Sequence, residues 1–306
     1  MSGYDDLKYC CPKCRSRLVR DDEKYFGVNG CSFCTGFPIQ DGIPNFIGRL
    51  QEGERESNRV FGAEWLDYKD YDANNLEKML SGLPSQIFSG KNVLEVGCGG
   101  GRHTLRLLNK YGAKSVVAID MSEAVREARR KNLNDARVTF VRCSALEMPF
   151  EDCSFDLAFS LGVLMHTVAP RTAFGNMVRT VRPGGEIVVW VYAKSLRKNL
   201  VELLRFFTKK MSTRWQKFVA ESLSILFYPI VLIHKIPGIR TFDHFNEYSQ
   251  YDFYTYRTDM FDRIAAPLID FYGVADITTW FEGEGCVDIR VTSYKSFFIV
   301  GYGRKP

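Results

Sequence analysis

Two sets of residues are spaced for chemistry. Cys11-x-x-Cys14 and Cys31-x-x-Cys34 are separated by sixteen residues, the spacing at which two knuckles deliver four thiolates to one tetrahedral zinc. The Cys-Pro-x-Cys form of the first knuckle favours Cys11 over its neighbour Cys10 as the ligand. With so few apolar residues in the first fifty positions, the module is expected to need its metal to fold, and the zinc to be structural. The second set begins in the run VLEVGCGGGRHT, Val93 to Thr104, with glycines at 97, 99, 100 and 101 between a strand and a helix. A tight turn of glycines there brings backbone N–H groups close to a ligand. Asp120 closes the next apolar run, VVAIDMS, where a carboxylate can accept hydrogen bonds from both ribose hydroxyls of a nucleoside.

One histidine stands where a reaction would take place. His166, in GVLMHT, follows the fourth strand of the main domain at the carboxyl edge of the sheet, where open α/β folds bind ligands. It is the candidate general base; the alternative is a residue that only shapes the pocket. His103, in the first turn after the glycine loop, reads as a local structural or cofactor-side contact.

The elements that must position these residues are legible as periodicity. From Asn92 onward short β-branched runs alternate with helical patterns, the signature of βα units and a mostly parallel sheet. Strands are expected at Val93–Val96, Val116–Ile119, Val138–Arg142, Phe155–Leu161 and Glu186–Tyr192. Helices are expected at Arg102–Lys110, Glu123–Asn132 and Arg171–Val181, the last stopped by Pro183-Gly184-Gly185. A helix near Asp276–Glu282 and two β-like runs, Val287–Thr292 and Phe297–Tyr302, close the chain as an antiparallel hairpin. The expected organisation is a metal-stapled module at 1–48, lead helices at 49–90, and an α/β domain at 91–306 carrying an insertion at about 194–270.

The run Leu94-Glu95-Val96-Gly97-Cys98-Gly99-Gly100-Gly101 resembles the first motif of the class I S-adenosylmethionine-dependent methyltransferases. The resemblance continues through CSALEMPFEDCSFDLAFSLGVLMH and VRPGGEIVVWV, over roughly residues 60 to 193. It implies a Rossmann-like fold, with S-adenosylmethionine spanning the glycine loop at Gly97, Cys98, Gly99 and Gly101. It further implies that Glu95 organises that loop and the methionine end of the cofactor, that Asp120 holds the ribose and that Met121 covers the adenine. Ser144, Ala145 and Leu146, with Leu161 at the end of the fourth strand, complete the implied cofactor contacts. The family's third motif commonly supplies an Asp to the adenine amino group, and Ser144 stands in that place, an uncharged and weaker acceptor. The first fifty residues, ending in GFPIQDGIPNFI, resemble the Trm112-like zinc-ribbon modules fused to some of these enzymes.

The insertion bears on the acceptor. Eight basic residues and one acid, Glu202, lie between Lys194 and Lys217. Leu200, Leu203, Leu204 and Phe207 recur at helical spacing, so one face is apolar and the other cationic. SLSILFYPIVLIHKI follows, short and proline-interrupted for a membrane span. The favoured expectation is a helical cap packing its apolar face on the core, and the rival is a surface that touches a membrane or admits an amphiphilic acceptor. The aromatic segment after it offers His244, Tyr248, Tyr251, Tyr254 and Arg257 to line an acceptor pocket, with Trp65 as a cover over the cofactor.

Composition narrows the classes. A net charge of +5 and a pI near 8.6 fall short of a dedicated nucleic-acid binder. The basic residues of the cysteine module are nearly balanced by Asp5, Asp6, Asp21, Asp22 and Glu23, which weakens docking on RNA. MSGYDDLKYC shows no basic stretch leading into an apolar one, so a cytoplasmic location is expected. The expected activity is methylation, at oxygen in the first instance, of a small or amphiphilic metabolite. The rivals are a zinc-containing ribosomal RNA base methyltransferase and a non-catalytic S-adenosylmethionine-binding protein.

Overall fold

The computed structural model describes residues 7–27, 31–34, 36–67, 76–80, 82–84, 86–132, 135–194, 197–236, 248–249, 251–294 and 297–306. The cysteine module forms a small antiparallel sheet of β1 (Leu18–Arg20), β2 (Lys24–Gly27), β3 (Phe37–Gln40) and β4 (Ile43–Pro44), ordered as in the chain. It is continuous with the main core. Tyr9 bridges Phe150, Asn45 bridges Arg142, and the rings of Tyr9, Phe46 and Phe150 stack within 5.1–5.8 Å. Helices α1 (Glu52–Asp67) and α2 (Leu76–Met79) follow.

The main sheet is built from β5 (Asn92–Val96), β6 (Ser115–Asp120), β7 (Val138–Arg142), β8 (Phe155–Leu161) and β9 (Val181–Tyr192), joined by α3 (Thr104–Asn109), α4 (Ala124–Lys131) and α5 (Pro170–Thr180). These five strands run parallel in the order β9-β8-β5-β6-β7, so the order reverses at β5, beside β8. Their buried residues form near-continuous apolar runs because both faces of such a sheet are covered. A crevice opens above the carboxyl ends at a reversal of this kind, and the glycine loop after β5 stands at it. β9 starts five residues earlier than the sequence pattern implies. Val181 already pairs with Phe155, and the exposed Arg182–Gly184 segment makes an irregularity before Glu186 meets Leu157.

Among the described residues the insertion holds three helices, α6 (Arg197–Thr208), α7 (Thr213–Ile233) and α8 (Phe253–Ala265), the last capped by the Asp252 carboxylate accepting from the Thr255 N–H at 2.7 Å. α7 runs through Pro229 without ending there. Helix α9 (Val274–Gly283) leads into β10 (Val287–Tyr294) and β11 (Phe298–Arg304), which pair antiparallel as expected, β11 also lying antiparallel on β9. One expectation fails. Among its described side chains, the cap does not turn the whole apolar stripe onto the core: Leu203 and Phe207 are exposed, while Leu204 and the buried Val201 pack inward. The face that packs is the one that meets α8, and it is narrower than the apolar stripe.

Candidate active site

A cavity of about 990 Å³ lies over the carboxyl ends of β5, β6 and β8. Its floor is Val96, Gly97 and Cys98 of the glycine loop, and Asp120 and Met121 from the end of β6 border it. Gly97 and Gly99 hold φ of +81° and +51°, the left-handed region, and the space above them is taken. A Cβ on Gly97 would sit 2.2 Å from Val163, and one on Gly99 2.9 Å from the Trp65 indole. Only glycine lets the chain turn there under those side chains. Asp120 ties the loop down, with Oδ2 accepting from the Gly99 N–H and Oδ1 from the Ser122 N–H, both at 2.8 Å. Each oxygen keeps a lone pair for a ligand hydroxyl.

Ser144, Ala145, Leu146 and Leu161 also line it. Ser144 is buried and donates to Glu54 Oε1 at 2.7 Å. Glu54, on the first turn of α1, also lines the cavity, so a carboxylate stands beside the position where an acid is missing from the third motif. Ser57, Phe61 and Trp65 line it from the same face of α1.

Glu95 does not line this cavity. It is buried beneath the loop, accepts from the Thr104 hydroxyl at 2.6 Å, and is pushed up to about 7 by burial. Gly99 and Gly101 shape the loop without bordering the cavity, Gly101 packing over Ala128. His103 borders it, held neutral by burial.

A second cavity of about 910 Å³ adjoins the first and shares Trp65, Arg102, Leu161, Gly162 and Asp262 with it. Trp190, Tyr192, Tyr248, Tyr251, Phe297 and Phe298 give it aromatic walls. Behind them Arg263 donates to Asp259 at 2.7 Å and to the Tyr248 hydroxyl at 3.1 Å, while Tyr248 donates to Asp259. Among the described residues, Glu64 Oε2, Trp190 Nε1, Thr255 Oγ1 and Asp262 Oδ1, on side chains that line this cavity, are buried without a hydrogen-bond partner. Burial pushes the Glu64 and Asp262 carboxyls up.

His166 sits at the junction, in the 3₁₀ turn Leu164–His166 after β8, lining the first cavity with Asp262. Its Nδ1 is 2.7 Å from the Leu268 carbonyl oxygen, an acceptor only, so Nδ1 carries the proton and the neutral ring has its lone pair on Nε2. Nε2 is buried and unpartnered. A lone pair so held can take a proton from a group bound between the two cavities.

Among the residues expected to line an acceptor pocket, Trp65, Tyr248 and Tyr251 line this second cavity. Tyr254 is exposed under Arg257, which pairs with Glu221 at 3.3 Å, and neither borders these two cavities. His244 lies outside the described residues. Sequence reasoning missed Glu54, Glu64 and Asp262. A signal for the last existed: Thr255, Thr258, Asp259 and Asp262 form a polar stripe at helical spacing in an aromatic segment.

In the cysteine module the sulfurs of Cys11, Cys14 and Cys34 lie within 4.8 Å of one another. Cys31, outside that group of three, accepts from the Cys34 N–H through its carbonyl at 2.9 Å. A tetrahedron of Zn–S bonds of 2.3 Å places sulfurs about 3.8 Å apart, a spacing compatible with these three thiols.

Residues 94–189 match the model of a methyltransferase domain. The chain is 36% identical over 169 residues to a tRNA U34 carboxymethyltransferase of Methylococcus capsulatus, covering 53% of this chain and 49% of that protein. It is 34% identical over 104 residues to the O-methyltransferase cnsE of Penicillium expansum, covering 33% of this chain and 37% of that protein. The chain thus spans less than half the length of either relative. Among solved structures, it superposes on a chain from the complex of the Haloferax volcanii Trm112 methyltransferase activator with a methyltransferase (TM-score 0.51, 16% identity, 82% of this chain and 97% of that one). It also superposes on human N-acetylserotonin methyltransferase in complex with S-adenosylmethionine (TM-score 0.51, 12% identity, 84% of this chain and 60% of that one). The chain carries a methyltransferase domain in the Rossmann-like fold of the class I S-adenosylmethionine-dependent methyltransferases.

Proposed function

We propose that this protein methylates a hydroxyl group of a small, amphiphilic acceptor with S-adenosylmethionine as donor. The observation that carries the reading is the pair of adjoining cavities with the His166 Nε2 lone pair at their junction. The donor, held in the first cavity, supplies an electrophilic methyl group on a sulfonium. Asp120 accepts from the ribose hydroxyls while its other lone pairs hold the glycine loop. Glu54, aligned by Ser144, accepts from the adenine amino group in place of the missing acid. The aromatic walls of the second cavity orient an apolar body and exclude water, and His166 takes the acceptor's proton. Orphaned polar atoms in that cavity call for an acceptor with more than one polar group, since each costs about 1–3 kcal/mol if left unpaired.

The test is transfer of tritiated methyl from S-adenosylmethionine to a panel of amphiphilic phenols and hydroxy acids, run beside total RNA. Label in organic-extractable product is expected, and label confined to RNA would overturn the acceptor reading in favour of an RNA methylase.

We further infer that Cys11, Cys14, Cys31 and Cys34 hold a structural zinc. Cys14→Ser is expected to purify with little or no zinc and to loosen residues 7–48 toward proteolysis, with donor affinity retained. Metal analysis showing full zinc in that variant would refute the assignment.

A further inference from the structure

The outer face of the insertion is apolar and cationic together. α7 has 21 residues and a mean hydropathy of 1.4 over its most apolar window, of which only 22% is buried. Gln216, Ala220, Ser224 and Val231 are its buried residues. Ala220 packs against Phe261, Ile264 and Ala265 of α8, and Val231 lies in a cluster with Tyr248 and Tyr256. At 3.6 residues per turn, the exposed Trp215, Phe218, Ile225, Leu226, Leu232 and Ile233 fall on the opposite side of the helix. Phe206 and Phe207 of α6 are also exposed, at 64% and 61%. Monomeric soluble proteins rarely leave so continuous an apolar strip uncovered.

The charge around the strip says what covers it. Lys209, Lys210, Arg214 and Lys235 are exposed at its borders and Arg205 and Lys217 half-buried, against the exposed acids Glu202 and Glu221. Large aromatics on one side of a helix with cations beside them are the arrangement of segments lying in the interface of a bilayer, where the rings enter the headgroup level and the cations meet anionic lipid. A soluble partner with an apolar groove would not by itself require this excess of cations.

The geometry points to the α6–α7 face as a docking surface for an anionic membrane. The inference stands apart from the transferase reading, because vesicle binding needs neither donor nor acceptor. It also gives an amphiphilic acceptor a short route: α8 packs on the inner side of α7 and presents Thr255, Thr258, Asp259 and Asp262 to the second cavity.

The experiment is flotation of the full chain with vesicles of phosphatidylcholine alone or mixed with phosphatidylglycerol. Binding to the mixed vesicles at low salt is expected, with partitioning at least about tenfold weaker in Lys209→Glu/Lys210→Glu and in Phe206→Ser/Phe218→Ser. Phe33→Ser, an exposed aromatic in the cysteine module, should bind as the parent chain does. Equal binding to both vesicle types, or binding that survives both double substitutions, would overturn the inference. So would a dimer in light scattering that dissociates in Phe206→Ser/Phe218→Ser while the parent chain ignores vesicles, because the face would then belong to a second copy.

Discussion

His166→Ala is expected to lower the turnover number by about 10²–10⁴, the usual contribution of a positioned general base, while leaving donor affinity within a few fold. The expectation rests on tautomer and burial. The Leu268 carbonyl can only accept, so it fixes the proton on Nδ1 and leaves the lone pair on Nε2, which is buried without a described partner. Of the other described imidazoles, His103 borders the first cavity with Nε2 accepting from Arg102 at 3.1 Å, and His234 contacts the Ile230 carbonyl at the end of α7. Asp262→Asn is the companion variant, preserving shape at the junction while removing an ionisable group whose Oδ2 accepts from Tyr192 at 3.2 Å. A smaller loss than in His166→Ala identifies Asp262 as a positioning residue; an equal loss makes the two a working pair. Single-turnover rates with saturating donor separate these outcomes from a binding defect. Full activity in His166→Ala would mean that the acceptor needs no base, as with an amine already neutral when bound.

Asp120→Ala should weaken donor binding by at least about 100-fold, since charge-assisted hydrogen bonds contribute about 1.5–3 kcal/mol each and more than one is lost. Two effects add here. In the proposed reading the carboxylate accepts from the ribose hydroxyls, and it also pins Gly99 and Ser122 through their N–H groups. Asp120→Asn separates the effects, because its amide oxygen can still accept from one N–H while the charge is gone, and it should fall between the parent and Asp120→Ala. Zinc content should be unchanged in both, as the cysteine sulfurs belong to a different sheet.

The features legible in the sequence were local ones. A glycine turn between a strand and a helix, an acid at the end of the next strand, and two cysteine knuckles are each written within a dozen residues. Parallel strands buried on both faces write themselves as apolar runs. What stayed hidden came from packing across long separations. Glu54 meets Ser144 over 90 positions of chain, and nothing near Glu54 marks it as other than a helix-start acid. The aromatic segment misled in detail for a related reason. Tyr254 and Thr255 are adjacent in sequence but about 100° apart on α8, so the threonine lines the cavity and the tyrosine faces out. The insertion was read as a cap folded onto the core because apolar stripes usually are buried; α7 instead buries small and polar residues against α8 and turns its large ones outward.

The most direct measurement of the central claim is calorimetric titration of the metal-analysed protein with S-adenosylmethionine and, separately, with NAD. The two adjoining cavities and the Asp120 loop predict micromolar binding of S-adenosylmethionine, abolished in Asp120→Ala, and no heat with NAD. Heat with NAD, or S-adenosylmethionine binding undiminished in Asp120→Ala, would contradict the account.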